Sequence, residues 1–329
     1  MSVLITGGAG YIGSHIALEL LRHGRAVVIA DNLVTGRRSL VPSGASFEVL
    51  DIADEKAVRR LLNTHNVKSV IHCAGATIVP ESVENPLKYY SNNTCASLAL
   101  LRAISAEGVK HIIFSSTAAV YQATDGKPIS ETHQIGPNSP YGMSKWMTET
   151  IIQHVASAQG LGHVCLRYFN VAGADPDQRS GQATPNATHL IKVAVEAALG
   201  VRESLGIFGS DWPTPDGTGV RDFIHVTDLA RAHYLALRHL ETGGDNLTLN
   251  CGYGHGYSVR EVIATVRAIC GWDFAVVDLP RRPGDLGSVV ADSNKLRAVL
   301  GWTPEFDNLD TIIRHAIEWE RKLLITAKC

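Results

Sequence analysis

The sequence predicts an α/β fold, a parallel sheet with helices on both faces followed by a smaller α/β lobe. Three observations carry that expectation. Short apolar runs alternate with helix-length segments through the first half of the chain, the pattern of a parallel sheet covered on both sides. A glycine-rich turn separates the first apolar run from the first helical segment. Further on, Ser139-Pro140 precedes Tyr141 and Lys145, four residues apart and so on one face of a helix.

Val3-Leu4-Ile5 is the first strand, and Tyr11 to Arg22 is the helix after it. Ala26 to Ala30 is the second strand and ends in Asp31; Ser46 to Leu50 is the third, followed by a polar helix from about Asp54 to His65. Ser69 to Cys73 is the fourth strand, with a long helical stretch near Leu87 to Glu107 behind it. His111 to Ser116 is the fifth strand, the Tyr141 helix follows, and His163 to Arg167 is the sixth. Right-handed crossovers between such strands place a ligand at their carboxyl ends. After Asn170 the pattern changes. Gly, Pro and polar residues make loops of 173–187 and 209–219, between expected helices near 188–199, 227–240, 259–269 and 309–325 and strands near 247–250 and 274–278. The expected organisation is a Rossmann-type, doubly wound domain over 1–170, with some later segments returning to it, and a substrate-facing lobe drawn mainly from 171–329.

Composition narrows the function. Hydrophobic residues make up 45% of the 329 and the formal net charge is −2, which suits a soluble globular enzyme and argues against nucleic-acid or membrane-surface binding. The cysteines (Cys73, Cys95, Cys165, Cys251, Cys270, Cys329) form no C-x-x-C pair and no metal spacing. Several sit in apolar runs as small buried hydrophobes, which fits a reducing cytoplasm; no metal is expected. The first strand begins at Ser2, leaving no room for a signal peptide. No apolar run approaches the ~20 residues of a membrane span.

Gly7, Gly10 and Gly13, with Tyr11 and Ile12 between the last two, are spaced G-x-x-G-x-x-G. Such glycines permit a tight turn, close approach of a pyrophosphate to backbone N–H groups, and close packing of helix on sheet. Asp31 closes the second strand, where a carboxylate accepts from adenosine ribose hydroxyls and repels a 2′-phosphate. NAD is therefore expected over NADP; Arg37 and Arg38 lie further into a loop and read as solvated. Asn32 follows Asp31. Asp51-Ile52, after the third strand, is placed to meet the adenine, with a turn or helix-cap role for Asp51 equally open. Cys73, Ala74 and Gly75 at the fourth strand's end, and Tyr168 at the sixth's, complete the expected cofactor contacts.

Ser139 as N-cap and Pro140 at the first helical position place Tyr141 in the first turn. The helix dipole, the Lys145 ammonium and a cationic nicotinamide would favour its phenolate. Lowering a tyrosine from about 10 to about 7 takes roughly 4 kcal/mol, and the product is a general base for a hydroxyl proton. The fifth strand ends in Ser115-Ser116-Thr117, and a hydroxyl there could share a proton with Tyr141 and a substrate oxygen.

Thr117, Tyr141 and Lys145 in this order, behind the glycine turn, resemble the extended short-chain dehydrogenase/reductase family. Within it the chain resembles the UDP-glucose 4-epimerases, through Thr6 to His15, Asp31-Asn32-Leu33, Glu81-Ser82, Tyr89 to Asn93, Phe114 to Tyr121, Leu166 to Asn170, Asp216 to Val226 and Arg281 to Asp285. The resemblance implies that Asn92, Asp31 and Lys145 hold NAD. It implies that Asn170, Leu190, Phe208, Arg221, Arg282 and Asp285 hold the UDP part, with His189 and Val289 also among the substrate-binding residues and Val289 beside the sugar. Guanidinium forks at Arg221 and Arg282 suit a diphosphate. The implied reaction inverts C4 of UDP-glucose or UDP-galactose through a 4-keto sugar, with Tyr141 as base, reversible hydride transfer to bound NAD, and no net redox change. A homodimer is implied, paired through the 87–107 and Tyr141 helices; Leu98, Leu101 and Ile104 fit one buried stripe, whether against a partner or against the sheet. The chain departs from the family's common pattern at Thr77, Gln122, His189 and Phe223, and Val289 stands where some relatives carry Tyr. A dehydratase or decarboxylase needs an acid beside Thr117, where this chain has Ala118-Ala119. A 4-epimerase for another UDP-sugar and a non-catalytic NAD sensor are the remaining alternatives.

Overall fold

A computed structural model of the chain describes residues 2–122, 126–184, 187–282 and 284–326. Cys329, Pro283 and residues 185–186 of an expected loop lie outside the described residues.

Seven parallel strands form the central sheet: β1 Ser2–Thr6, β2 Ala26–Asp31, β3 Ser46–Val49, β4 Val67–His72, β5 His111–Thr117, β6 Gly162–Tyr168 and β7 Leu247–Cys251, in the order β7-β6-β5-β4-β1-β2-β3. The strands are short apolar runs because both faces are covered, and alternate residues serve opposite cores. Val3, Ile5, Val27, Ile29, Ile113 and Val164 join a core with α1 (Tyr11–Arg22) and the later helices. Leu4, Val28, Val70, Ile112, Phe114 and Cys165 join one beneath α2 (Glu55–Thr64), α3 (Ala96–Ala106) and α4 (Pro140–Gln159). The strand expected near 247–250 is β7, which pairs with β6 and extends the main sheet. The helix expected near 227–240 is α5, Val226–Glu241, and it packs against α1.

The helix expected over 87–107 is interrupted. Pro86–Tyr89 is helical, Tyr90–Cys95 widens into a π turn, and α3 follows. π turns are uncommon and concentrate at functional sites. Leu101 and Ile104 of the expected stripe are buried in the protomer's own core, while Leu98 is only partly covered. Two of the three stripe residues therefore pack in the protomer's own core.

Beyond residue 170 three small sheets form among the described residues. Asn170–Ala172 pairs with Phe223–His225, and Leu205–Phe208 with Val276–Leu279. Val220–Arg221 lies between Tyr257–Ser258 and Ser288–Val289, with Val289 opposite Arg221.

Candidate active site at the carboxyl ends of the strands

The glycine turn is built by steric necessity. Gly7 has φ 69°, and a Cβ there would lie 2.8 Å from Ala74 N. A Cβ on Gly13 would lie 2.4 Å from Gly7 O. Gly10 is the N-cap of α1 and offers no side chain to its first turn, so those N–H groups suit an anion. This cradle, filled by any Cβ, fits the pyrophosphate of a dinucleotide. Asp31 ends β2 nearly buried; its Oδ2 accepts from Ala9 N at 3.0 Å and its Oδ1 from Leu33 N at 2.8 Å. Burial outweighs these bonds and pushes the carboxyl above its usual range. Gly36 was not singled out in the sequence, yet a Cβ there would meet Asp31 Oδ1 at 2.7 Å. Asp51 is exposed and makes a turn, accepting from Ala53 N at 2.9 Å, with Asn32 Nδ2 at 3.4 Å. The cap of α2 is Asp54. Ile52 is buried in the core beside α2.

Ser139 caps α4, accepting from Gly142 N at 3.2 Å, and Pro140 opens the helix. Tyr141 therefore lies in the first turn, as the sequence predicts. Gly142 supplies what the sequence reading missed. Its missing Cβ would lie 2.3 Å from Ala119 O, so only glycine lets α4 start against the end of β5. That contact brings Tyr141 within hydrogen-bond reach of Thr117, whose hydroxyl lowers the phenol's pKa. In the chain alone the net direction is upward, whereas the expected lowering drew in part on a cationic nicotinamide. Burial dominates and pushes Tyr141 up, with Thr117 the sole opposing influence. Lys145 is buried and turned to the strand, where Nζ donates to Ser115 O at 3.1 Å and lies 4.9 Å from the Phe114 ring centre. Burial lowers its pKa to about 8.

Gly75 leaves room for this lysine: a Cβ there would lie 3.5 Å from Lys145 Nζ and 3.0 Å from Asn93 Oδ1. Asn92 is exposed, whereas Asn93 is buried on the π turn. Asn93 accepts from Ala76 N at 2.8 Å and donates to Ser144 Oγ at 3.0 Å, tying the turn to α4. Cys73 Sγ lies 3.2 Å from Ser115 Oγ, and burial pushes the thiol up to about 11. Tyr168 is linked to the same serine. Below these groups Glu149 and Arg167 form a buried pair at 2.6 Å, and Ser116 donates to Glu149. Tyr141, Lys145 and Glu149 recur at i, i+4 and i+8, a spacing that could have revealed this third member.

The substrate candidates gather across the cleft. Tyr11, Asn170, His189, Leu190 and Phe223 line one cleft. Arg282 stacks on Phe208 with Cζ 3.4 Å from the ring centre. Burial lowers the pKa of Arg221 and of Arg282, and in both the Asp285 carboxylate opposes the shift. Val289 packs on the small cluster that also holds Ala118, next to Thr117.

Fold and site together define a dinucleotide-dependent enzyme of the Rossmann class, with Thr117, Tyr141 and Lys145 gathered at the end of β5. The model of the NAD dependent epimerase/dehydratase family matches residues 3–252, and the chain belongs to that family. It is 51% identical to the UDP-glucose 4-epimerase of Azospirillum brasilense, over 98% of this chain and 92% of that one. The UDP-glucose 4-epimerase from Bifidobacterium longum, solved in complex with NAD+ and UDP, superposes with TM-score 0.93 at 36% identity, over 98% of both chains. The UDP-Glc/GlcNAc 4-epimerase from Campylobacter jejuni superposes with TM-score 0.86 at 41% identity, over 98% and 99%.

Proposed function

We propose that the protein is an NAD-dependent isomerase that interconverts UDP-glucose and UDP-galactose by inverting C4 of the sugar. The observation that carries this is the Thr117–Tyr141–Lys145 centre at the end of β5, beside a glycine cradle shaped for a dinucleotide. Near-full-length identity to UDP-glucose 4-epimerases supports the choice among the family's chemistries. NAD, when bound, supplies reversible hydride uptake from C4.

The chain's own residues do the rest. Gly7, Gly10 and Gly13 would cradle the pyrophosphate and Asp31 the adenosine ribose. Lys145, lowered to about 8, is still largely protonated at pH 7 and can hold a ribose hydroxyl while favouring the phenolate. Tyr141 takes the 4-hydroxyl proton and later returns it, with Thr117 sharing the hydrogen bond. The nucleotide would be held by Asn170, Leu190 and Phe208 and the diphosphate by Arg221 and Arg282, anchoring the UDP while the 4-keto sugar presents its other face. We assign this binding to the segments after 170, and NAD binding mainly to 1–170.

A second reading rests on Val289. Its side chain sits beside Arg221 and near the Thr117 end of β5, and valine leaves space that tyrosine would fill. A 2-acetamido sugar is then a further substrate. The resemblance to a UDP-Glc/GlcNAc 4-epimerase supports this; Phe223, buried at the cavity wall, is the residue that could fill the space instead.

We also propose a homodimer. Val83 is 63% exposed and Leu87 76%, and with Val79 and Met147 they lie on packed helices beside the π turn. A second copy would cover this patch. Cytoplasmic location belongs to the same reading, on free cysteines such as Cys165 and Cys251 buried as apolar side chains.

Incubating the protein with UDP-galactose, with and without added NAD, tests the function. We expect UDP-glucose in both cases, because a catalyst that regains its cofactor each cycle retains it. Activity strictly dependent on NADP would contradict the NAD assignment. UDP-N-acetylgalactosamine assayed in parallel decides the second reading, which fails if only the plain hexose reacts and Val289→Tyr changes nothing.

A further inference from the structure

Two neighbouring arginines follow the strand Val276–Leu279, and they are used differently. Arg282 lies over Phe208. Arg281 turns instead to the loop after Phe208. Its Nε donates to Asp211 Oδ1 at 2.8 Å, its Nη2 donates to Asp211 O at 2.6 Å, and its Cζ lies 3.9 Å from the Trp212 ring centre. Trp212 is itself fixed: its N donates to Gly217 O at 2.9 Å, and its indole Nε1 reaches Phe208 O at 3.4 Å. Space has been cleared for it. Gly209 has φ 84°, and a Cβ there would lie 2.6 Å from both Arg281 Cγ and Trp212 Nε1; a Cβ on Gly287 would lie 3.2 Å from Trp212 Cε3. An exposed ion pair alone is worth little. Here it is combined with a stacked guanidinium and backbone-directed bonds, which fix geometry more than they add stability.

We propose that Asp211, Trp212 and Arg281 form a clasp that positions the Arg282–Asp285 segment for the diphosphate of a UDP-sugar, a reading that rests on the function proposed above. Trp212 is a positioning residue and touches no reacting atom. It touches the segment at both ends, at Arg281 and at Gly287, with Arg282 over Phe208 and Asp285 close to Arg221 between them. Its carbonyl partner, Phe208, carries the ring on which Arg282 rests. Losing the clasp leaves the diphosphate ligands present but unordered, and binding must then supply their ordering. The chemistry at Tyr141 is untouched, so the effect falls on KM and leaves kcat alone.

The test compares Trp212→Ala, Trp212→Phe and Asp211→Asn in the full chain. For Trp212→Ala we expect KM for UDP-galactose and Kd for UDP to rise about tenfold, with kcat held within about twofold, and bound NAD content unchanged. Trp212→Phe keeps a face for Arg281 and restores most of the affinity. Asp211→Asn, at an exposed position that leaves the core intact, gives a smaller rise in the same direction. Trp212→Ala with wild-type UDP affinity overturns the clasp, as does an equal loss of kcat, affinity and NAD that Trp212→Phe fails to repair. A wild-type protein that does not bind UDP overturns the functional reading and the clasp with it.

Discussion

Tyr141, the proposed base, is activated only in part by its own chain. Burial pushes it up and Thr117 draws it down only in part, while Lys145 is bonded to Ser115 O. The phenolate is favoured when a cationic nicotinamide lies beside it, which couples proton removal to cofactor binding. Tyr141→Phe keeps the ring and removes the proton acceptor. Turnover should fall by about 10²–10⁴-fold, with UDP and NAD still bound, as titration and an extracted-nicotinamide assay would report; near-wild-type turnover sinks the assignment. Gly142→Ala is a sharper test of geometry. The added Cβ would meet Ala119 O at 2.3 Å, so α4 must move from the end of β5 and carry Tyr141 away from Thr117. We expect kcat to fall with bound NAD largely retained, and unchanged kinetics would show that this contact does not set the centre. Tyr141, Lys145, Thr117 and the glycines of the turn were legible because their chemistry dictates residue type and spacing. Gly142, Gly36 and Asn93 were not, because each matters through a neighbour distant in sequence. The burial that pushes Tyr141 up in the chain alone has no signature in the local pattern.

At the scale of elements, short strands buried on both faces announced themselves as apolar runs, and all six of the first half lie where expected to within about two residues, the ordinary uncertainty of boundaries. The first turn of α4 was readable from Ser139 and Pro140. The stretch near 87–107 was not. A π turn has no sequence signal beyond that of a helix, and an apolar stripe does not say which neighbour it faces. Leu101 and Ile104 face the sheet. The exposed face is on Val79, Val83, Leu87 and Met147, so the dimer proposal moves to those residues. Leu87→Asp combined with Met147→Asp should yield a monomeric mass by light scattering at micromolar concentration, where we expect the unaltered protein to give a dimeric one. A monomer in both cases contradicts the dimer; a dimer in both contradicts the patch.

For the whole molecule, acid stability follows from histidines buried in the neutral form. His72 is lowered to about 3, and His15 and His233 to about 4, each mainly by burial. Their folded pKa values lie below the unfolded 6.5, so the unfolded chain binds protons that the folded chain refuses. Their stabilisation is complete above pH 6.5 and is lost as pH falls from there towards 4, each residue costing on the order of 1 kcal/mol per pH unit. Asp222 and Asp228 are raised by burial and act with the opposite sign nearer the carboxylate range. Tm should therefore fall steeply between pH 6.5 and 4.5, as a thermal-shift series in matched ionic strength would show; a flat Tm over that range contradicts the account. The organisation beyond residue 170 was the least legible part, since β7 and α5 return to the first sheet through contacts that no local pattern encodes.

The central claim is that one site removes a hydride from C4 and gives it back to the other face, with the cofactor never leaving. UDP-galactose carrying deuterium at C4 tests it most directly, incubated in ordinary water with the protein as purified and no added nicotinamide. The account predicts UDP-glucose that retains the deuterium at C4. Loss of the label to solvent, or no conversion until nicotinamide is supplied in stoichiometric amounts, would contradict it.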